Sequence, residues 1–358
     1  MIKRKTLSII KKIKERREIQ QFRENLFSRD RWMVEKFNLP ELSKSELHEI
    51  NEVWPFIRAT NNDLIWNRMY KFKHGFDPYY LSDYQVQPIY KALNPSVDVE
   101  FLKNKALIDI YCSEIAFPKT YIKCINGFLS DHDGNAISES ESIDILRATG
   151  ETSFIIKPSI NSGCGKGVRI IHAIKEEILD VIHNSGNNFI IQECLQQCEF
   201  LSRLNDSSIN TCRLTSLYLD GTFSFSTILK IGKKGAIIDN WNSSYFIGIN
   251  SKGYLATAAY DYKLDEVIAS DSGVKFEGLL YPDFSQITSA IELYHKKYFP
   301  TLGILGWDVF IDNHHNVRII EVNPDYPGIK GAQLCVGTFF KEHRNSIVNK
   351  VMNIHKQH

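Results

Sequence analysis

The 358 residues contain no CxxC pair, no GxxxxGK[ST] element and no GxGxxG opening a helix. A CxxC metal or redox motif, a P-loop and a Rossmann fingerprint are therefore all excluded. No stretch approaches the roughly 20 apolar residues that a membrane span needs. The opening MIKRKTLSIIKKIKERREIQQ has neither a long apolar core nor a small-residue cleavage site, so no secretory leader is expected. Charge of one sign is also missing. The 43 Lys and Arg stand against 42 Asp and Glu, and a net charge of +1 makes no case for a nucleic-acid partner. Cysteine is sparse and odd in number. Cys112, Cys124, Cys164, Cys194, Cys198, Cys212 and Cys335 sit mostly in apolar runs and read as reduced thiols of a cytoplasmic protein. Hydrophobic residues at 43% and charged residues at 24% are ordinary globular values, and the length suffices for two or three compact units.

The charge that is present is polarised. Residues 1–18 hold eight basic and two acidic residues, a surplus of six, which leaves the rest of the chain at −5. Ile2, Ile9, Ile10 and Ile13 would form one stripe of a helix. That stripe suits packing on the protein itself, the preferred reading, or a peripheral contact with anionic lipid. Residues 19–95 read as a mostly helical, aromatic-rich unit carrying no chemical motif. From residue 96 the texture becomes mixed. Helical periodicity over 104–115 gives way to strand over 119–130, with DHDG (131–134) as its turn. A capped helix follows over 138–149, and strands and helices alternate after it to residue 323. The expected division is therefore a helical N-terminal unit (1–95), a first α+β subdomain (96–190) and a second (191–358).

Two places carry chemistry. In KPSINSGCGKGVRI (157–170), Gly163, Gly165 and Gly167 free the backbone to approach an anion, and Lys157 leaves the preceding strand beside them. Taken alone, the loop fits a phosphate cradle or a bare glycine-rich hairpin equally. The stronger signal is GWDVFIDNHHNVRIIEVNPDYPG (306–328). A turn centred on His314 and His315 sets Asp308 opposite Glu321 and Gly306 opposite Asn323. Strand alternation then puts Asp308, Glu321 and Asn323 on one face. Two facing carboxylates repel unless a cation lies between them, and an all-oxygen set suits Mg²⁺, with Mn²⁺ as a substitute. A solvated acid pair is the alternative, disfavoured by the apolar neighbours Trp307, Val309, Phe310, Ile319, Ile320 and Val322. The two histidines read as exposed turn residues.

In this order the motifs resemble the ATP-grasp superfamily. Lys105 in NKALIDIYCSEIAFPKTY resembles that family's first ATP lysine, and Lys157 in FIIKP its second. IIQECLQQCE (190–199) resembles its hinge. The resemblance implies that Gln192 and the backbone of Glu193 and Leu195 face the adenine and that Glu199 reaches the ribose. Asp308, Glu321 and Asn323 match its metal ligands. SINTCRLTSLYLDG, LKIGKKGAIIDNWNSS and EVNPDYPG look like the sugar-transfer-associated branch, mostly predicted enzymes of bacterial capsule and surface-polysaccharide loci. That branch carries a glycine pair where this chain has Asn242-Ser243-Ser244. The arginine that many superfamily ligases place two residues before the first metal Asp is here Gly306. Arg213 is the candidate for that positive charge, its alternative being an ordinary sheet-surface arginine. The resemblance implies an α+β ATP-grasp fold and an ATP- and Mg²⁺-dependent ligase joining a carboxylate to an amine through an acylphosphate. A kinase acting on a hydroxyl and a non-catalytic nucleotide-binding module are the rival readings.

Overall fold

The computed structural model describes residues 2–56, 58–94, 102–160, 162–163, 165–238 and 240–357. The side chains of the isoleucine stripe (Ile2, Ile9, Ile10 and Ile13), of the basic residues before Lys14, and Cys164 of the glycine loop lie outside the described residues. Two compact units divide the chain, Met1–Leu93 with Gly337–His358, and Asn94–Val336.

The first unit is helical, as its pattern indicates. It contains α1 (Ile2–Phe37), α2 (Lys44–Val53), α3 (Ile65–His74), α4 (Asp83–Leu93) and a last helix at Arg344–Gln357. Ser43 and Glu46 form a capping box that starts α2 by satisfying its first free amides. At the other end of α2, Arg344 donates from Nε to the Val53 carbonyl (2.8 Å) and from Nη2 to that of Glu52 (3.0 Å), which places a positive charge at the negative end of the helix. Met33, Ile50, Trp54 and Tyr70 are fully buried here. The aromatic richness of this stretch is core packing.

The second unit holds two antiparallel sheets. The first has the order β2-β1-β5-β3-β4, from β1 (Thr120–Ile125), β2 (Phe128–Ser130), β3 (Ser153–Pro158), β4 (Arg169–His172) and β5 (Asn188–Glu193). Before β1 lies the single turn α5 (Ile108–Tyr111), shorter than the periodicity of 104–115 suggests. The β1–β2 hairpin turns at Asn126-Gly127 (φ +51° and +85°), ahead of DHDG, because both positions take the left-handed backbone that a two-residue hairpin turn requires. The helices α6 (Glu139–Ala148) and α7 (Lys175–Asn184) cover one face, burying Ile143, Leu146, Ile178 and Val181 against Ile122, Phe154, Ile156 and Ile191. The capping box expected for α6 is present at Ser138 and Glu141.

After the short α8 (Glu199–Leu204), the second sheet runs β10-β9-β8-β7-β6-β11-β12. Its main strands are β6 (Thr211–Leu219), β7 (Thr222–Gly232), β8 (Ser244–Ile249), β11 (Ile304–Ile311) and β12 (Val317–Asn323), with β9 (Ala259–Tyr260) and β10 (Glu266–Val267) at one edge. The amphipathic α9 (Phe284–Tyr298) buries Ile287 and Ile291 in a core with Leu214, Leu229, Trp307 and Val309. Ala332 of α10 (Ile329–Val336) packs on Ile228 and Phe246.

Two expected boundaries shift. The division placed between 190 and 191 falls inside β5, the central strand of the first sheet, so that sheet extends to Glu193. Residues 337–358, expected with the second subdomain, group with the N-terminal helices, where Arg344 caps α2.

Candidate active site

The acidic hairpin is held by its turn. Asp312 Oδ1 accepts from the backbone amides of His314 (2.9 Å) and Asn316 (2.8 Å), and His315 takes a left-handed φ of +61°. Both histidines are exposed at the tip. Asp308 stands opposite Glu321 and Gly306 opposite Asn323, the expected register, although the route to it differs. Near the turn Ile311 pairs with Val317 and Val309 with Ile319, one residue out of step with the expected count. A bulge between Asp308 and Val309 absorbs the extra Ile320 and restores the step at the acids.

Asp308 is buried, 6% exposed, and is gripped from the adjoining strand. Arg213 of β6 lies opposite it and donates from Nε to Oδ1 (2.9 Å) and from Nη2 to Oδ2 (2.8 Å). Lys230 of β7 approaches Oδ1 at 3.1 Å. Burial alone would push the Asp308 pKa up, but the charges and hydrogen bonds of Arg213 and Lys230 outweigh it and hold the carboxyl well below its usual range. Arg213 also donates from Nη1 to the Tyr326 carbonyl (3.1 Å), and Thr215 donates to that of Pro327 (2.6 Å). These bonds strap residues 326–327 across the sheet. Gly306 and Gly328 make room for the strap. A Cβ on Gly306 would lie 2.6 Å from the Pro327 backbone, and one on Gly328 (φ +99°) would lie 2.9 Å from Arg213 Cγ. Gly306, the position at which superfamily ligases often carry arginine, is thus closed to any larger residue here.

Lys157, the last residue but one of β3, is almost completely buried, with its pKa pushed down to about 8. Burial is the main cause, with Lys105 acting in the same direction and the Glu321 and Asp308 charges opposing. Lys105 places Nζ 3.0 Å from Glu321 Oε1 and 3.3 Å from Ser162 Oγ. Its own amide donates to the Ser159 carbonyl at 2.8 Å, which ties it to the start of the glycine loop. These groups meet in a cleft of about 600 Å³. Its lining combines the polar groups of Lys105, Lys157, Ser162, Glu321 and Asn323 and the backbone of Gly163 with the apolar side chains of Ile108, Phe117 and Ile320. Of the loop glycines, Gly163 lines the cleft. Gly165 (φ +71°) lies instead against Ile238, where a Cβ would come within 2.1 Å of Cδ1.

The hinge segment is divided. Gln192 lines the cleft, whereas Glu193, Leu195 and Glu199 are absent from its wall. The Glu193 carboxylate accepts from the Lys119 amide (2.9 Å) and pairs with Arg318 of β12, and its own amide donates to the Lys119 carbonyl (3.0 Å). Leu195 packs on the core, and Glu199 is exposed in the first turn of α8. Lys230, Arg318 and a buried Lys123–Asp109 pair escaped the sequence reading. Lys230 had a partial signal. The Asp220-Gly221 turn sets Lys230 opposite Thr211 and hence on the Arg213 face, but nothing local says which strand receives that face.

Among the described residues no group of three or more His, Cys, Asp or Glu side chains is arranged to hold a metal. The candidate set is two carboxylates and an amide, whose oxygens suit a hard divalent cation that completes its shell with water and phosphate. The repulsion between the facing acids is also relieved by the protein's own cations, Arg213 and Lys230 on Asp308 and Lys105 on Glu321. Glu321, 30% exposed at its side chain and facing the cleft, is the more available ligand. No described helix is long and apolar enough to cross a membrane.

The family described as sugar-transfer associated ATP-grasp matches residues 85–349. A search of curated proteins finds no match. Among solved structures, the D-alanine–D-alanine ligase of Helicobacter pylori aligns at 17% identity and a TM-score of 0.39, covering 72% of this chain and 61% of that one. This chain thus spans less than two thirds of that ligase. The D-cycloserine synthetase DcsG aligns at 14% identity and a TM-score of 0.43, over 71% and 73% of the two chains. The ATP-grasp ligase PsnB, solved with a minimal precursor, aligns at 10% identity and 0.42, over 72% and 63%.

Proposed function

The chain belongs to the sugar-transfer-associated ATP-grasp family, and on that footing we propose that its cleft activates a carboxylate with ATP and joins it to an amine. The observation that carries the reading is the meeting of Lys105, Lys157, Glu321 and Asn323 in one cleft, with Asp308 against Asn323 behind its wall and Arg213 on Asp308. Two lysines at the glycine loop suit the phosphates of ATP. The acids and amide on the facing hairpin suit Mg²⁺, which would offset charge on those phosphates when bound.

In this reading a substrate carboxylate oxygen attacks the γ-phosphorus of ATP. The bond to the β-phosphate oxygen breaks, ADP leaves, and an acylphosphate remains. An amine nitrogen then attacks the acyl carbon, phosphate departs with the bonding pair, and the amine gives up its proton, leaving an amide. Lys105 and Lys157 steady the phosphoryl oxygens, and Arg213 steadies the acid or the charge that develops on it. An amide between a sugar uronate and an amino acid or amino alcohol, made during assembly of a capsule or surface polysaccharide, is the product class that the family's setting suggests.

The test is a screen of acids with ATP, Mg²⁺ and hydroxylamine, reading ADP release and hydroxamate together. A mixed carboxylic–phosphoric anhydride is captured by any strong nitrogen nucleophile, and a phosphoester is not. An acid that yields hydroxamate without its natural amine supports the ligase. A stable phosphorylated alcohol with no hydroxamate would overturn it in favour of a kinase using the same nucleotide residues.

A further inference from the structure

The cleft wall holds an acid that the ligase reading leaves unused. Among the described residues three acids line the cleft, Asp109, Glu321 and Asp325. Two of them are committed. Asp109 of α5 is bound to the buried Lys123, its Oδ1 3.0 Å from the lysine Nζ. Glu321 meets Lys105 and belongs to the candidate metal set. Asp325 is the third and the most open, with its side chain 39% exposed against 30% for Glu321 and 12% for Asp109. Among the described residues its carboxylate pairs with Lys103 alone, whose Nζ lies 2.5 Å from Oδ2 and which also lines the cleft. Asp325 comes two residues after Asn323, so their Cα atoms are at most about 7 Å apart. Its backbone is held on both sides. The Pro324 carbonyl accepts from Asn94 Nδ2 (2.7 Å), that of Tyr326 from Arg213 Nη1 (3.1 Å) and that of Pro327 from Thr215 Oγ1 (2.6 Å). A rigid segment thus presents the acid beside the candidate metal ligands.

An accessible acid in such a wall repels phosphates and a substrate carboxylate, and it attracts a cation. The reaction proposed above has one cationic organic substrate. An aliphatic amine is an ammonium ion near pH 7, and its nitrogen must lose a proton before it can attack. We propose that Asp325 forms the amine subsite, where it draws in the ammonium group and takes its proton. The inference rests on the ligase reading of the cleft. One N–H proton passes to a carboxylate oxygen of Asp325, and the nitrogen pair so freed attacks the acyl carbon. The C–O bond to phosphate breaks and phosphate leaves with the bonding pair. The surplus proton left on nitrogen goes to the departing phosphate, and Asp325 returns its own to water. Lys103 acts as a positioning residue, because its grip on Oδ2 sets the direction of the acid.

The full chain with ATP, Mg²⁺ and an acid that yields hydroxamate tests this with two kinds of nucleophile. Hydroxylamine is uncharged at pH 7 and needs no base, whereas methylamine, ethanolamine and glycine all carry an ammonium group there. Asp325→Asn keeps the shape and removes the charge. It should lower amide formation from these amines about a hundredfold relative to hydroxamate formation. The gap should narrow toward about pH 10, where the amines have lost their extra proton. The double variant Lys103→Met with Asp325→Leu removes both charges together and leaves neither unpaired, which guards against simple misfolding. It should show the same selective loss. A parental amide-to-hydroxamate ratio in either variant overturns the proposal. An equal fall in both products does so too, because it marks a purely structural ion pair. A parent that forms hydroxamate but no amide with any of the three amines defeats this inference alone, whereas a parent that forms hydroxamate with no acid defeats the ligase reading itself.

Discussion

Arg213 lies directly opposite Asp308 across β6 and β11 and holds both of its carboxylate oxygens, at 2.9 and 2.8 Å. The fork fixes the direction of the acid, and the same guanidinium straps the Tyr326 carbonyl. Arg213→Ala should depress hydroxamate trapping about a hundredfold or more, because a positive contact to a transition-state oxygen commonly contributes about 2.7–4 kcal/mol. ATP binding should suffer less. Arg213→Lys restores charge without the two-pronged geometry and should recover only part of the rate. Trapping at the parental rate in the alanine variant would remove Arg213 from the chemistry and leave it a structural strap.

Glu321 faces the cleft and touches Lys105 at 3.0 Å. Glu321→Gln keeps the shape and removes one charge from the candidate metal set, so the fold should survive while turnover is lost. The parent should bind ATP well only with Mg²⁺ or Mn²⁺. Calorimetry with and without EDTA checks this, and equal affinity in both would refute the metal assignment of Asp308, Glu321 and Asn323.

Lys157 should discriminate by phosphate count. Lys157→Met is expected to weaken ATP about ten- to a hundredfold, and AMP much less. Equal loss of both would mark a structural lysine.

The titration of the same residue gives an independent check. In the fold its proton leaves at about 8, against 10.5 for an ordinary lysine. Between those values the unfolded chain holds the proton and the folded chain does not, so the parent should gain stability as pH rises from about 8 to about 10.5. Lys157→Met should flatten that slope and, without nucleotide, unfold at a higher temperature than the parent at pH 7. Denaturant unfolding at several pH values reads both effects.

His295 supplies the corresponding acid-side prediction. Trp307 Nε1 donates to Ser216 Oγ (2.8 Å), Ser216 in turn donates to His295 Nδ1 (2.8 Å), and His295 Nε2 donates to the Leu302 carbonyl (2.7 Å). The chain of donors is complete only with neutral imidazole. Burial pushes the pKa down from 6.5 to about 4, the bond to Leu302 opposing. The unfolded chain therefore takes up the proton first, and stability should fall as pH drops from about 6.5 to about 4, by about 2–3 kcal/mol. His295→Phe should shrink this loss, at some cost in stability at pH 7. A parent equally stable at pH 7 and pH 4.5 would contradict the assignment.

Local features of the sequence carried much of the fold. The capping box Ser138/Glu141 announced α6, and strand alternation placed Asp308, Glu321 and Asn323 on one face. The register of that hairpin was legible at the acids, but only because two errors cancel. The turn is centred half a residue earlier than the sequence suggests, which shifts each partner by one, and the Ile320 bulge adds that residue back. A bulge depends on the packing of both strands, which no turn motif records. The hinge was legible as a strand but not as a surface. Glu193 looks free to meet a ligand until Arg318, 125 residues later, claims its carboxylate.

The sequence by itself determined most of the helices and strands and which of their side chains share a face, because those properties depend on turns and on periods of two or 3.6 residues. Tertiary structure alone decided which faces meet. Arg213 and Asp308 are 95 positions apart, and they touch because β6 chose β11 as its neighbour. Lys230 joins them through β7, while Lys123 is covered because α5 folds back on the cleft face. Strand order within a sheet is set by the burial of whole layers, a sum over distant contacts that no short window of sequence contains.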